Sequence, residues 1–399
     1  MRVTAERLVA GGDALARADD GRVVFVAGAL PGEVVDIEVE RTTKDYARAR
    51  LVEVVESAPT RRVPPCPHRL AGCGGCGWMH LEPAAQLAAK ADIVREALRR
   101  TARLDGDAVE RLVTVGGSVD PVGYRTSIRV IGTGGGAVGF RAAAGAAVVP
   151  ITDCRVAHGA LQPVIAGLDV DSGVEVSLRA SGASGAVTAM WDRRHRRGVR
   201  GLPGGVHVGE RAWLTERVAG VDLRVSAGSF FQSGPQAAEL LVDAVRRSAA
   251  RELAGARHVV DAYGGVGLFA ATLAPDGARI TLVESSPSAC RDATFNLATR
   301  EAVIVADEVG RWTPGADDPV IDVVIADPAR PGLGRPGVRA LTAVGAPLLV
   351  LVSCDPVSLA RDITLCADAG FVPERCEVLD LFPETHHVEV VTRFVRVDG

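Results

Sequence analysis

Two groups of residues in this chain have the types and spacing that chemistry needs. The first is a set of cysteines. Cys66, Cys73 and Cys76 lie in one eleven-residue loop, with Gly74 and Gly75 between the last two, and Cys154 stands in the segment Ile151–Arg155. Four thiolates suit an iron–sulfur cluster or a tetrahedral zinc, and spacing alone does not separate the two. The plainer alternative is a loop of unconnected free thiols. The second group is spread along the last part of the chain. Asp261–Phe269 places Gly264, Gly265 and Gly267 directly after the strand-like run His258–Val260 and at the start of a helical stretch. Glycines there let the backbone turn tightly and let a ligand approach a helix N-terminus. Glu284 ends the next apolar run, 20 residues after Gly264. A carboxylate at that place accepts hydrogen bonds from a ribose diol. Tight strand–helix packing with an exposed glutamate is the competing reading.

Three further positions belong to the second group. Cys354 follows the apolar run Pro347–Leu351. The C-terminal end of a parallel strand is where open α/β sheets bind ligands. A helix starting after Pro356 would favour thiolate through its dipole; an ordinary buried cysteine is the alternative. Asp327 and Arg330, after Val323–Ala326, set a carboxylate and a guanidinium on the same rim, unless Asp327 merely turns the chain before Pro328. Glu389 opens the last apolar run and is either a base or a solvated glutamate. His386 and His387 carry little signal of their own. Cys290, Cys366 and Cys376 have no comparable setting and are read as core or surface residues.

The elements that must hold these residues fall into three segments. Residues 1–60 read as short strands, Arg22–Val26, Glu33–Val39 and one near Ala47–Val55, with the turn signal Gly28–Gly32 between the first two, so a small β-barrel is expected. Residues 61–215 hold the cysteine loop after a Pro- and Arg-rich linker, then a helix over Pro83–Thr101, then a strand-rich, glycine-rich stretch from 113 onward. From 216 to 399 a helix near Pro235–Arg251 precedes apolar strands at 258–263, 279–284, 302–306, 320–326 and 347–353, with helical stretches between several of them. That alternation predicts βαβ units and a parallel sheet, finished by two strand-like runs from Phe371 without an intervening helix.

Composition bounds the function. The 399 residues carry a net charge of −4, and 47% are hydrophobic. A folded protein of two to three domains is expected, and overall charge offers nothing to a nucleic acid. Residues 1–60 hold 8 basic and 11 acidic side chains. The exception is local: Trp191–Arg200 carries five arginines beside an aromatic, suited to phosphate contact and stacking, or simply a solvated basic hairpin. No uncharged apolar run reaches the ~18 residues of a membrane span. Acidic residues at Glu6 and Asp13 do not fit a signal peptide. A cytoplasmic protein with no membrane partner is expected, and in a reducing compartment its cysteines serve metal or catalysis more readily than disulfides.

Taken together and in this order, these pieces resemble the RNA uracil-C5 methyltransferases, the tRNA and 23S rRNA 5-methyluridine family, over nearly the whole chain. The resemblance implies a TRAM-like (OB-like) barrel at 1–60, a central domain with an iron–sulfur loop at 61–215, and an S-adenosylmethionine-dependent methyltransferase domain of the class I, Rossmann-like α/β fold at 216–399. It implies a [4Fe–4S] cluster on Cys66, Cys73, Cys76 and Cys154. Ser229–Gln232, Asp261–Phe269, Asp327–Arg330, Ser353–Pro356 and Phe382–Glu389 match the family's catalytic motifs. By that match Gln232, Tyr263, Leu268, Glu284, Asp307 and Asp327 line the S-adenosylmethionine site, Cys354 is the nucleophile and Glu389 the general base. The implied partner is RNA, rRNA or tRNA, and the implied state a monomer. Three positions depart from the pattern: Asp355 stands where the family usually has Asn, Gly264 where it often has Cys, and Gly234 where it often has Asn. Two other readings compete: an RNA-binding protein that keeps the fold without catalysis, and a zinc-stabilised methyltransferase of another substrate.

Overall fold

The computed structural model describes residues 1–143, 145–315 and 318–397. Strands Arg2–Leu8, Ala14–Arg17, Val23–Ala27, Val34–Thr42 and Tyr46–Glu56 close into a barrel, in the order first, second, third, fifth, fourth. Two of these strands, Arg2–Leu8 and Ala14–Arg17, escape a reading based on apolar runs, because Arg2, Glu6, Arg7 and Arg17 interrupt them. Alternation explains the outcome: Val3, Ala5 and Leu8 point inward while Arg2 and Thr4 face water. The barrel's core is completed from outside its own strands, by Trp78, Leu81 and Ile93.

A second, mostly antiparallel sheet of six strands runs from Ser127 to Val208, in the order His207–Val208, Val187–Met190, Glu175–Ala180, Ser127–Gly132, Val138–Arg141, Val148–Pro150. Its apolar face packs on Leu161, Val164 and Ile165 of a short helical segment. The third sheet has eight strands. Five are parallel, in the order Ala302–Val305, Arg279–Val283, His258–Ala262, Val323–Ala326, Leu348–Ser353; Glu389–Arg396 then joins antiparallel, followed by Phe371–Asp380 and Val113–Ser118. Both faces of this sheet are buried. Val259, Ile325, Val350 and Val352 fall in one core; Val260, Val324, Leu349 and Leu351 fall in the other. Strands covered on both faces have no polar side, which is why they read as unbroken apolar runs.

The strand Val113–Ser118 differs from expectation. It begins the stretch read as the middle domain, yet it pairs with Phe371–Asp380 and extends the third sheet. Its glycines make that possible. A Cβ on Gly116 would lie 2.5 Å from Leu379, and one on Gly117 2.8 Å from Leu240. The helix Pro83–Arg100 packs on the same side, against Phe371–Asp380 and the helix Pro356–Asp368.

That helix carries a fully buried ion pair. The Nζ of Lys90 donates to the Asp380 carboxylate at 2.6 Å and to the Phe382 carbonyl at 3.1 Å, and it lies 5.9 Å from the Trp78 ring centroid. Burial drives both partners toward neutrality, lowering the Lys90 pKa and raising that of Asp380. Their contact therefore offsets a desolvation cost more than it adds stability. Removing one partner strands the other. Lys90→Met is expected to lose about 3–5 kcal/mol in chemical denaturation, and adding Asp380→Leu should recover part of that loss; a single variant as stable as wild type would contradict the buried charge.

Candidate active site

The order of the parallel strands reverses beside His258–Ala262, whose neighbours are Arg279–Val283 and Val323–Ala326. The crevice beyond such a switch point is the ligand site of open α/β sheets. Here the chain leaves His258–Ala262 through Tyr263, at φ 58°, and Gly265 and Gly267, at φ 56° and 88°. A left-handed tyrosine is sterically costly and persists only where its surroundings enforce it. A Cβ on Gly265 would meet nothing within 4 Å, so the backbone there borders open space. Leu268, buried, is the first residue of the helix Leu268–Leu273.

Glu284 holds this turn. Its carboxylate accepts from the backbone N–H of Gly265 at 3.0 Å and of Ser286 at 2.6 Å. Asp307, exposed past the edge strand Ala302–Val305, accepts from the backbone N–H of Glu308 at 2.7 Å. Asp327 follows Val323–Ala326 and accepts from the Gln232 side-chain amide at 3.3 Å. Asp261, fully buried inside the last turn of its strand, accepts from the Ala270 N–H at 2.9 Å, while its Oδ1 has no partner. Burial, with Asp327 and Glu284 nearby, pushes Asp261 up to about 8.

The second half of the site comes from strand register. Leu348–Ser353 pairs antiparallel with Glu389–Arg396, and the last ladder pair is Ser353 with Val390. Cys354 follows directly on that last pair, as Glu389 precedes it on the other strand, and the two groups are close enough for the Glu389 charge to act on the thiol. The Cys354 thiol is pushed up to about 12, first by burial and then by the Glu389 and Asp327 carboxylates, against the opposing charge of Arg330. Burial and Asp327 raise the Glu389 pKa, with Lys90 acting the other way. The helix after Pro356 forms as expected, and against its dipole stand burial and two carboxylates, which raise the Cys354 pKa. Arg330 reaches the His387 ring at 3.4 Å.

The three departures from the family pattern each have a local reason. Asp355 is the N-cap of Pro356–Asp368 and accepts from the Ser358 N–H at 2.7 Å, a role that Asn fills equally well. A Cβ on Gly264 would lie 2.6 Å from Leu282, whose side chain fills that space. A Cβ on Gly234 would lie 2.3 Å from the Tyr124 carbonyl oxygen.

The four cysteines meet at a separate place. Cys66, Cys73, Cys76 and Cys154 line one cavity of about 230 Å³ with Met79, Arg125, Ile128 and Phe140. All are free thiols. Burial raises Cys73 and Cys154 and takes Cys76 up to about 12. Among the described residues no group of three or more Cys, His, Asp or Glu side chains converges on a point where one metal ion would sit.

Sequence reasoning missed two residues of this region. Lys90 carries no motif. Glu384, buried at φ 68°, accepts from Arg62 at 2.5 Å and from Gln86 at 3.1 Å, and its carbonyl accepts from the Trp78 N–H. Nothing in Phe382–His387 marks that role in advance, because its partners lie about 300 residues away in sequence.

Comparison with known proteins bears on the whole chain. Residues 1–52 match the TRAM domain. An uncharacterized RNA methyltransferase of Streptomyces avermitilis is 34% identical, covering 96% of this chain and 94% of that protein. The 23S rRNA (uracil(1939)-C(5))-methyltransferase RlmD of Halomonas elongata is 30% identical, covering 95% and 86% respectively. The crystal structure of Pyrococcus abyssi tRNA (uracil-54, C5)-methyltransferase with S-adenosyl-L-homocysteine superposes with a TM-score of 0.75 over 99% of this chain and all of that one, at 23% identity, which speaks for the fold.

The unpartnered acid makes a pH test of the site. Asp261 titrates near 8 when folded and near 4 when unfolded, so its contribution is fully present below pH 4 and is lost as pH rises toward 8. Asp261→Asn keeps an acceptor for Ala270 and cannot ionise. The loss of stability between pH 5 and pH 8, read from urea midpoints, should be smaller in this variant than in wild type; parallel profiles would place a charged Asp261 in the fold.

Proposed function

This chain belongs to the RNA uracil-C5 methyltransferases, and we propose that it methylates carbon 5 of a uridine in structured RNA, 23S rRNA or tRNA, through a covalent bond between Cys354 and the uracil. The observation that supports this reading is that Cys354 and Glu389 flank the last ladder pair, Ser353 with Val390, and that the Glu389 and Asp327 charges both act on the thiol. Carbon 5 of uracil is a poor nucleophile. Cys354 gives up its thiol proton to solvent, and its sulfur adds to carbon 6, which turns the ring into an enolate and makes carbon 5 nucleophilic. When bound, S-adenosylmethionine would supply the methyl group from its positively charged sulfonium. Glu389 then takes the carbon-5 proton, the electron pair returns to the ring, and Cys354 leaves. The target base reaches the crevice by leaving its stack.

The residues assigned to S-adenosylmethionine would hold it beyond the strand switch point. Gly265 leaves space for the ligand, and each Glu284 oxygen, already accepting one backbone N–H, keeps a lone pair for the ribose hydroxyls. Gln232 and Asp327, linked to each other by a 3.3 Å hydrogen bond, would hold the ligand together with Tyr263, Leu268 and Asp307. RNA contact falls to the TRAM barrel and to the basic segment. In that segment Arg194 is tied to Asp192 and Arg200 to Asp169 and Asp171. Arg193, Arg196 and Arg197 are exposed and make no ion pair among the described residues.

For the four cysteines we propose a [4Fe–4S] cluster. All four line one cavity of about 230 Å³, and four thiolates are the ligand set of such a cluster. Cys66, Cys73 and Cys76 would hold it from the loop and Cys154 from the middle sheet's side, so its role is to tie the two together. Anaerobically purified protein should contain iron and sulfide with the cluster's visible absorbance, and Cys154→Ser should lower occupancy and thermal stability together. Stoichiometric zinc without iron would replace this assignment.

The covalent route is tested by two substitutions that fail differently. Cys354→Ala should abolish methylation and form no adduct. Glu389→Gln should still attack and methylate, then stall, so that a protein–RNA adduct accumulates on denaturing gels. Wild type should be trapped on RNA carrying 5-fluorouracil, because fluorine does not leave as a cation. Methylation by Cys354→Ala, or 5-methyluridine formed without trapping, would defeat the mechanism; absence of methylation on RNA from cells lacking the gene would defeat the function.

A further inference from the structure

The hairpin Trp213–Val218 and Val221–Ser226 packs on the helix Pro287–Asn296, and the face they share has no part in the chemistry above. Trp213 is 46% exposed and Phe295 59% exposed, whereas Trp78 and Trp312 are buried. The Arg224 guanidinium lies between the two rings, 5.1 Å from the Trp213 centroid and 5.4 Å from that of Phe295. It is fixed there. Its Nε donates to the buried Asp292 carboxylate at 3.1 Å, and the Asn296 side chain bonds both its backbone N–H and its carbonyl. Each ring thus has one face against a cation and the other toward water. An open cavity of about 550 Å³ adjoins, lined by Trp213 and Arg211. Arg291 sits one helical turn before Phe295, exposed like Arg211. Glu210 stands on the same rim, near Gly228.

Rigid aromatic faces beside arginines suit an unpaired nucleotide: the rings stack on a base, and the guanidinium groups meet phosphates. A second copy of this chain fits less well, because a two-fold contact would set Arg211, Arg224 and Arg291 close to their own copies. The face is also wired to the reaction crevice. Asn296 donates to the Val266 carbonyl in the glycine turn, and Asp292 accepts from both Ser226 and Ser229, three residues before Gln232.

We infer that Trp213, Arg224 and Phe295 form a stacking platform for an unpaired nucleotide of the RNA substrate outside the catalytic pocket, with Arg211 and Arg291 on its phosphates. This rests on the RNA-methylating function proposed above. The test uses the full-length protein and two fluorescein-labelled probes, a single-stranded oligouridylate and an RNA duplex of the same length. Trp213→Ala and Phe295→Ala should each weaken single-strand binding roughly tenfold, the effect of one lost stack, and change duplex binding much less. Trp213→Tyr should stay close to wild type, and affinity for S-adenosylmethionine, by calorimetry, should hold throughout. Unchanged single-strand affinity in both alanine variants overturns the platform. So does equal loss on single strand and duplex, loss of S-adenosylmethionine affinity alongside RNA, or a dimer that Trp213→Ala converts to monomer. A wild type that binds the oligouridylate in this ring-dependent way yet methylates no RNA leaves the platform standing and removes the function.

Discussion

The segment Asp380–Glu389 must cross the interior before it can deliver a base to the sheet, and the rest of the molecule is arranged around that requirement. A buried loop has backbone groups that water cannot reach, so each needs a partner in the protein. The partners come from every part of the chain. Ser233 donates to the Leu381 carbonyl, Lys90 to that of Phe382, Tyr124 to that of Pro383 and Trp78 to that of Glu384, while Gln86 accepts from the Glu384 N–H. The cysteine loop's flank, the long helix, the start of the middle segment and the Gln232 loop therefore converge on ten residues. The left-handed backbone of Glu384 is the local cost of bending through this crowded place.

Electrostatics follows from the same burial. Asp261, Asp327, Glu389 and Cys354 occupy one desolvated region, and each is shifted toward its neutral, protonated form. The buried cation nearby, Lys90, is engaged by Asp380. The region is thus short of positive charge, which suits a site whose cosubstrate brings its own.

Much of this was legible in the residues. The glycine turn, Asp327 and Cys354 each stand at the end of an apolar run and Glu389 at the start of one, and apolar runs of five or six residues between helical stretches announce a parallel sheet. What was not legible is non-local. Arg2–Leu8 alternates too strongly with charge to look like a core strand, yet barrel closure buries its other face. Val113–Ser118 looks like the start of the middle segment, and only its partner, more than 250 residues on, shows where it belongs. Lys90 reads as a polar position on a helix and is wholly buried. The helix behind Cys354 was legible; the burial and the Glu389 and Asp327 carboxylates that act against its dipole were not, because they come from other strands.

Trp78, Leu81 and Ile93 belong to the chain after the barrel, yet they fill the barrel's interior. Each would contribute about 1.5–3 kcal/mol through burial there. The barrel is therefore a poor candidate for module exchange. A chain cut behind residue 60 would leave a tryptophan and two large aliphatic side chains on an open surface, and a barrel expressed alone would lack part of its own core. Trp78 also donates to the Gly12 carbonyl with its ring and to Glu384 with its backbone. Any lineage or designer replacing this barrel must re-engineer those contacts as well, so the barrel and the rest of the chain are constrained to change together.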